Sequence, residues 1–511
     1  MKRFLILLLV VLAAVFLSAF IFFHFYLNAE RIGKYANELA GEKYQVHIEG
    51  VSFKPFSRTV ELRVISIQTT DKQDLFTANL ILFEGIGVIE AIRGNVWVQR
   101  VFVNEFFLNQ KLFPEEEGAV PDEENKFSLF LGGVDLQNGE VSFKTGEDGT
   151  GDVLGLNVNL GFVTKKFGCP DCEDKFEIGN IGVEVDEINY KFWENRYELG
   201  IRNVTINEVD SLAELGRISL KSTLTTEDFF ESLSYRTDHF FADLSGLQIQ
   251  KLDLSKIKKG ERFSSSYISV DSLDLHVTLD KRVPRDPDRK NPTMPLEALG
   301  NTPIPIFIDS VLVNHADIRY SEIDEEGARP GTITFARTSL NISPVYSDLS
   351  ETVVVTARSF LENDGEINSE FRFFMEDGVS VTRINGSVGR FNITLLNNIL
   401  EDLEGIRIKD GTIYRSDFIY TMRGSNASGF FFVHYDELSI EQINRVDHSR
   451  GFRNRFTSFL MDRIAIRSSS HNNGEDFRRG EIEEEQEPEN GFFNFVWISL
   501  RSGMMDAVSR L

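Results

Sequence analysis

The segment Leu154–Phe162, with the sequence LGLNVNLGF, decides the fold class because apolar residues alternate with small or polar ones. Successive side chains of a strand point to opposite faces, so the alternation predicts a strand with one apolar wall and one polar wall. Two further segments share this pattern and favour an antiparallel sheet with one apolar face. The residues expected on the apolar walls are Leu154, Leu156, Val158, Leu160 and Phe162; Leu273, Leu275, Val277 and Leu279; and Val60, Leu62 and Val64.

A short unit recurs in the sequence and indicates internal repetition. Its copies lie at residues 134–143, 311–320 and 406–413, and the first and third carry Asn138-Gly139 and Asp410-Gly411 between apolar residues. Such pairs are typical of hairpin turns because they tolerate positive φ. Each copy therefore predicts a strand, a tight turn and a second strand.

The N-terminus predicts a membrane anchor. Lys2 and Arg3 precede an apolar run from Phe4 to Phe23, and about 20 apolar residues suffice for a helix to cross a bilayer. The basic residues predict a cytoplasmic N-terminus with the rest of the chain outside. A cleaved signal peptide is the competing interpretation, although its apolar part is usually only about 7 to 15 residues long. The residues chosen to mark the anchor are Phe4, Leu12, Phe16, Phe20, Phe23 and Tyr26.

Composition divides the chain into successive segments with different expected structures. We expect a cytoplasmic tip and transmembrane helix at 1–27, a short juxtamembrane helix at 28–42, a first β-rich segment at 43–280, a Pro- and charge-rich loop at 281–305, a second β-rich segment at 306–467, an acidic loop at 468–490 and an amphipathic C-terminal helix at 491–511.

The C-terminal helix carries Phe493, Trp497 and Leu500 as candidate docking residues. It could plug one end of a groove, dock on a partner, or rest on a membrane surface. Covering an exposed sheet edge is the interpretation that we rank first.

The sequence lacks the motifs that carry common catalytic chemistry. It contains no GxSxG, no HExxH, no P-loop and no dinucleotide-binding glycine fingerprint, so we predict neither an enzyme nor a cofactor. A net charge of −25 argues against a nucleic-acid partner, because phosphate binding requires concentrated Lys and Arg.

The two cysteines, Cys169 and Cys172, form a single CxxC. A CxxC can be a redox pair or half of a zinc site, but no second CxxC exists and the histidines lack ligand spacing. We therefore predict no metal site and favour a disulfide that closes a small loop in an oxidising compartment.

Both ends of the chain resemble a known family. The stretch 39–53, LAGEKYQVHIEGVSF, follows the membrane run and is similar to the start of AsmA-like envelope proteins of Gram-negative bacteria. The segments 478–482 and 491–500, with Gly503 following, are similar to the tail of AsmA-like members from the Bacteroidetes group. The repeated units around Gly139 and Gly411 resemble that family's repeated strands.

The resemblance implies an elongated, curved antiparallel β-groove lined by apolar side chains. It also implies anchorage in the inner membrane, a periplasmic body, phospholipid as the bound molecule, and a role in lipid transport to the outer membrane or in its assembly. Because strands stack about 4.8 Å apart, the chain could need an envelope partner or an oligomer to cross the periplasm. The alternative is an anchored, non-enzymatic scaffold or assembly factor with a closed β-sandwich core, because a packed core and a lipid groove require the same side chains.

Overall fold

The computed structural model describes a mainly β chain. The described residues are 30, 33–34, 37, 44–87, 90, 95–112, 127–146, 148–167, 177–288, 293–327, 329–443, 469–470, 479–486 and 491–508. The chain forms two compact units, unit 1 with Met1–Asn195 and Leu199–Ala213, and unit 2 with Arg196–Glu198 and Glu214–Leu511. The loop predicted at 281–305 therefore lies inside unit 2 rather than between units.

Unit 1 is built on a sheet in which β1, β2, β3, β5, β7, β8 and β11 pair in that order. A smaller sheet contains β4, β6, β9 and β10. The strands are β1 (Tyr44–Lys54), β2 (Thr59–Thr69), β3 (Asp74–Glu84), β4 (Val96–Val98), β5 (Arg100–Asn109), β6 (Phe127–Leu131), β7 (Val134–Thr145), β8 (Gly149–Leu160), β9 (Val163–Phe167), β10 (Glu177–Ile178) and β11 (Ile181–Phe192). The next strands, β12 (Tyr197–Asn207) and β13 (Leu212–Ser222), contain residues of both units.

Unit 2 continues with longer strands, and most neighbours along the chain pair antiparallel. These strands are β14 (His239–Gln250), β15 (Phe263–Asp280), β16 (Ile306–Ile323), β17 (Gly331–Ser343), β18 (Val345–Tyr346), β19 (Val353–Leu361), β20 (Gly365–Glu376), β21 (Val379–Val388), β22 (Phe391–Asn392), β23 (Ile406–Arg423), β24 (Asn426–Gln442) and β25 (Arg479–Glu485).

Helices occupy short connections and the C-terminal tail of the described chain. They are α1 (Thr226–Glu231), α2 (Leu254–Lys258), α3 (Pro295–Gly300), α4 (Asn397–Leu403) and α5 (Phe492–Val508), with 3-10 turns at Gln110–Leu112 and Ile393–Leu396. The hydroxyl of Thr225 accepts a hydrogen bond from the Asp228 N–H at the start of α1, which satisfies one of the unpaired donors at a helix N-terminus. The predicted C-terminal helix is confirmed as α5.

The strand pairing is mostly antiparallel, as predicted, but two pairs of long strands are parallel. β5 pairs parallel with β7, and β15 pairs parallel with β16. An 18-residue strand such as β15 is about 60 Å long at 3.3 Å per residue, so the chain must return over that distance before β16 begins. Residues 281–305 make this return and contain α3, so the segment predicted to be a loop is a crossover connection.

The recurring units form continuous strands, so the predicted strand-turn-strand repeats are wrong. Asn138-Gly139 lies within β7, His315-Ala316 within β16 and Asp410-Gly411 within β23. Register shifts mark each of these sites as a bulge. A bulge and a hairpin turn both use residues that accept positive φ, and Asn138 has φ of 55°. The segment predicted to be an acidic loop at 468–490 is also corrected, because it contains β25.

The predicted anchor residues and both cysteines lie outside the described residues, as does most of the juxtamembrane segment. Residues 30, 33, 34 and 37 of that segment are helical. Within the described part of the chain, no helix combines the length and apolarity needed to cross a membrane.

Candidate functional site

In unit 1, one face of the sheet carries apolar rows that run across the strands. Each row contains one residue from each of seven strands that are neighbours in the sheet, and every residue is paired with the next one in the row. One row contains Phe53, Val60, Phe83, Val101, Val134, Leu160 and Ile181. The next contains Val51, Leu62, Ile81, Val103, Leu136, Val158 and Val183. The predicted wall residues Val60, Leu62, Val158 and Leu160 therefore share one face, and Leu156 adjoins them opposite Gly139.

Val64 is not on this face. Its φ is 49° and its side chain is 42% exposed, while Ile65 is buried in the same cluster as Ile48 and Phe106. The inward residues of β2 are thus Leu62 and Ile65, three positions apart rather than two. The same spacing occurs between Ala78 and Ile81 in β3. A positive-φ residue shifts the alternation by one position, as a bulge does.

The wall predicted from Leu154 to Phe162 is likewise corrected at both ends. Gly155 has φ of 65°. In the pairing of β8 with β7, Leu156 lies opposite Gly139 and the next paired residue of β8 is Val153, opposite Val141, so Leu154 and Gly155 are skipped. This bulge places Leu154 on the opposite face from Leu156. Phe162 lies beyond the end of β8 and is 40% exposed.

In unit 2, a single apolar row crosses ten strands from β14 to β25, and we call it the ten-strand row. Each member is the registered partner of the next. In order, it contains Ile249, Ile268, Val311, Ile342, Val355, Phe371, Ile384, Tyr420, Gly429 and Ile482.

The predicted wall of β15 belongs to the same face as this row. Leu273, Leu275 and Val277 pair in parallel with Ala316, Ile318 and Tyr320 of β16, and Leu279 lies opposite Glu322. The four predicted side chains are half-buried. Beside Val277, Phe240 of β14 is 38% exposed. This part of the face is apolar and still accessible.

The accessibility of the ten-strand row changes along its length. From Ile249 to Phe371 its members are half-buried, whereas Ile384, Tyr420 and Ile482 are buried. Helix α5 covers the buried end: Phe492 packs against Phe371 and Phe373, and Phe495 lies in the same hydrophobic cluster as Tyr420 and Ile482. One face therefore has an open part and a covered part.

Helix α5 docks through small residues that the hydrophobic pattern did not select. Ser499, Gly503 and Ala507 are buried. A Cβ on Gly503 would lie 2.5 Å from Cγ1 of Ile482, so the helix approaches β25 too closely for any side chain there. The regular four-residue spacing of small residues is the signal that could have identified this contact.

Of the predicted docking residues, Phe493 is 81% exposed, while Trp497 and Leu500 are half-buried. Leu500 packs against the cluster beneath α5. The helix lies on the face of β24 and β25 rather than along the outer edge of β25, which corrects the edge-covering interpretation.

The apolar face ends in a small polar network after Val277 and Tyr320. The Tyr320 hydroxyl donates to Glu322 at 2.7 Å, and Lys281 Nζ lies 2.6 Å from the same carboxylate. Burial and the adjacent Glu322 raise the pKa of Tyr320, so its hydroxyl stays protonated at neutral pH. The Glu322 carboxylate is buried but paired, and its partners offset the cost of its desolvation.

The opposite face of unit 2 is polar at this end of β15 and β16. Asp274, His276 and Arg319 lie there, and His276 is 2.9 Å from Asp274. Across the described residues, no group of His, Cys, Asp or Glu is arranged to hold a metal ion.

Comparison of the chain with protein-family models, with curated proteins and with solved structures gave no match.

Proposed function

We propose that the open part of the apolar face in unit 2 binds the acyl chains of phospholipid. The observation that supports this is the ten-strand row, whose members are half-buried from β14 to β20: those of β14 to β16 are open, and those of β17 to β20 border the core that α3 and Phe492 close. A contiguous apolar surface that remains in contact with water is typical of a binding surface. Each methylene removed from water there would contribute about 0.8 kcal/mol.

The length of the row suits an acyl chain. Five strand spacings of about 4.8 Å across its half-buried stretch, from β14 to β20, give roughly 24 Å, and an acyl chain fills half of a bilayer core about 30 Å thick. The half-buried stretch is therefore longer than one acyl chain, and lipid would bind there without a catalytic residue.

The resemblance to AsmA-like proteins supports the wider proposal. In it, a chain anchored in the inner membrane holds its β-rich body in the periplasm. The body then supports phospholipid transport to the outer membrane or the assembly of that membrane, with an envelope partner or a second copy extending its reach.

The scaffold alternative is favoured by one observation, the covered part of the face. Helices α3, α4 and α5 pack on β17 to β25 and close a conventional hydrophobic core there. A protein that uses this core only for stability would hold no lipid.

Mass spectrometry of lipid that co-purifies with the full-length protein tests the proposal. We expect phospholipid with the wild-type protein and at least a threefold loss in Ile318→Asp, which places a charge on the apolar face. Arg319→Asp is the matched control, because the next residue of β16 is exposed on the polar face.

Thermal melting monitored by circular dichroism confirms that each variant is folded. If Ile318→Asp does not fold, Val277→Asp, beside the exposed Phe240, replaces it. Absence of lipid from folded wild-type protein would reject acyl-chain binding and leave the scaffold.

A further inference from the structure

We propose that helix α5 is a displaceable plug that occupies the covered part of the acyl-chain site. This inference rests on the proposed function. Acyl chains and α5 then compete for the ten-strand row, and the lipid capacity of the protein depends on whether the helix is docked.

The first support is that α5 and the proposed lipid use the same surface. The register carries the row without interruption from Val355 and Phe371, which are half-buried, to Tyr420 and Ile482, which are buried. The covered members are as apolar as the open ones. Undocking of α5 would therefore extend one continuous binding surface.

The second support is the way in which α5 is held. Its polar attachments include three contacts in the described residues: Arg501 Nη1 lies 2.9 Å from Glu404 Oε1, Asp506 accepts a hydrogen bond from the Glu481 N–H at 2.8 Å, and the Tyr420 hydroxyl donates a long one, 3.5 Å, to the Val496 carbonyl. Of the two carboxylates, Asp506 is exposed and Glu404 is half-buried. Ion pairs of this kind near the surface contribute little to stability.

A third feature weakens the docked state. The side-chain Oδ1 of Asn494 is buried and accepts no hydrogen bond from the described residues. A buried polar atom without a partner destabilises the state in which it is buried. This cost disappears when the helix undocks and Asn494 meets water, so it lowers the free energy needed for displacement.

A reversible disulfide between α5 and β25 tests the proposal. Ile482→Cys and Gly503→Cys are combined in a full-length chain with Cys169→Ser and Cys172→Ser. A Cβ at residue 503 lies 2.5 Å from Cγ1 of Ile482, which is too close for an unbonded side chain but brings two cysteines within reach of a disulfide bond. The probe is phosphatidylcholine with a fluorescent acyl chain, titrated against the oxidised and the reduced protein.

We expect the oxidised protein to saturate at about six-tenths of the lipid bound by the reduced protein, because six of the ten row members lie outside the buried end that α5 covers. Equal saturation in the two states would overturn the plug and leave acyl-chain binding intact. Absence of binding in both states and in the wild type would instead reject the acyl-chain site, and the plug with it.

Hydrogen exchange of the wild-type protein gives an independent test that needs no substitution at the contact. Saturating lipid should increase the exchange rate of α5 amides at least tenfold, whereas unchanged exchange would overturn the proposal.

Arg501→Ala should lower the apparent Kd for lipid about twofold, the change expected for losing a partly exposed ion pair. Arg202→Ala is the matched control because it removes the exposed Arg202–Glu187 pair of unit 1, whereas α5 and its attachments belong to unit 2. An equal effect of both substitutions would contradict a specific role for the α5 attachment.

Discussion

The side-chain amide of Asn397 takes both backbone hydrogen bonds of Ile408, with its Nδ2 donating to the carbonyl and its Oδ1 accepting from the N–H, each at 2.8 Å. Asn397 lies at the start of α4 and Ile408 near the start of β23. Asn37 does the same for Val46 of β1, with both distances 2.7 Å. In both places a helical asparagine substitutes for a neighbouring strand and satisfies backbone groups that would otherwise lack a partner.

Replacing this asparagine should destabilise unit 2. Asn397→Ala leaves the N–H and the carbonyl of Ile408 without their partners, and we expect a loss of about 1 to 3 kcal/mol in the free energy of unfolding. Urea denaturation followed by circular dichroism measures the change. Asn398→Ala is the control because the adjacent side chain is exposed, and its effect should stay within about 0.5 kcal/mol. Equal effects would show that the Asn397 amide contributes nothing special.

The bulge in β8 should require glycine at residue 155. Gly155 has φ of 65°, and a Cβ there would overlap the carboxylate of Asp186. We therefore expect Gly155→Ala to cost more than 1 kcal/mol. Gly182→Ala is the comparison, because its Cβ would meet its nearest neighbour, Asn159, at an ordinary 3.8 Å. Unfolding midpoints in urea distinguish the two variants, and a similar midpoint for both would argue against the bulge.

The stability of unit 2 should fall as His239 becomes protonated. Burial among Tyr197, Phe229 and Phe230 lowers the pKa of His239 below its ordinary 6.5. The unfolded chain therefore binds more protons than the folded one between these two pKa values. The contribution of the neutral imidazole to the free energy of unfolding is fully present above pH 6.5. It is lost as the pH falls through the lower pKa of the folded state.

His239→Phe removes this titration. Denaturant unfolding at several pH values between about 7.5 and 5.5 should show a smaller loss of stability for the variant than for the wild type. Parallel curves for the two proteins would contradict the assignment.

The docking of α5 should tolerate no β-branched residue at position 503. Gly503→Val introduces atoms where a Cβ alone lies 2.9 Å from Cβ of Phe431, and we expect about 1 to 3 kcal/mol of strain. Limited proteolysis should then cleave α5 several times faster. Gly491→Ala, just before the helix, is the control because nothing lies within 4 Å of its Cβ. Equal cleavage rates would contradict the close contact.

The sequence allowed the strands to be predicted because the alternation is local. The walls around Leu156–Leu160 and Leu273–Leu279 fall on apolar faces as expected, since each needs only its own period of two. The prediction failed where one backbone angle changed the phase. Val64 carries no local signal for its positive φ, and Asn138-Gly139 suits a bulge as well as a turn.

Other features depended on residues far apart in sequence. The parallel pairing of β15 with β16 depends on the path of the crossover connection between them. The sequences of the two strands do not specify it. The contact of Gly503 with Ile482 was missed because hydrophobic patterns emphasise large residues. Here the helix can approach β25 closely because residue 503 is a glycine and has no side chain. The ten-strand row also becomes visible only once every register is known.

The phase shift in unit 1 has a consequence for how the chain can change in length. Ile48, Ile65, Ala78 and Phe106 face one another across four strands, and Val51, Leu62, Ile81 and Val103 do the same on the other side of the shift. A one-residue insertion inside any of these strands would move the inward side chains on one side of the insertion to the opposite face. The neighbouring strands would keep their inward side chains in place. Natural variation in length should therefore accumulate in the connections between strands, and the interiors of β1, β2, β3 and β5 should keep a fixed residue count.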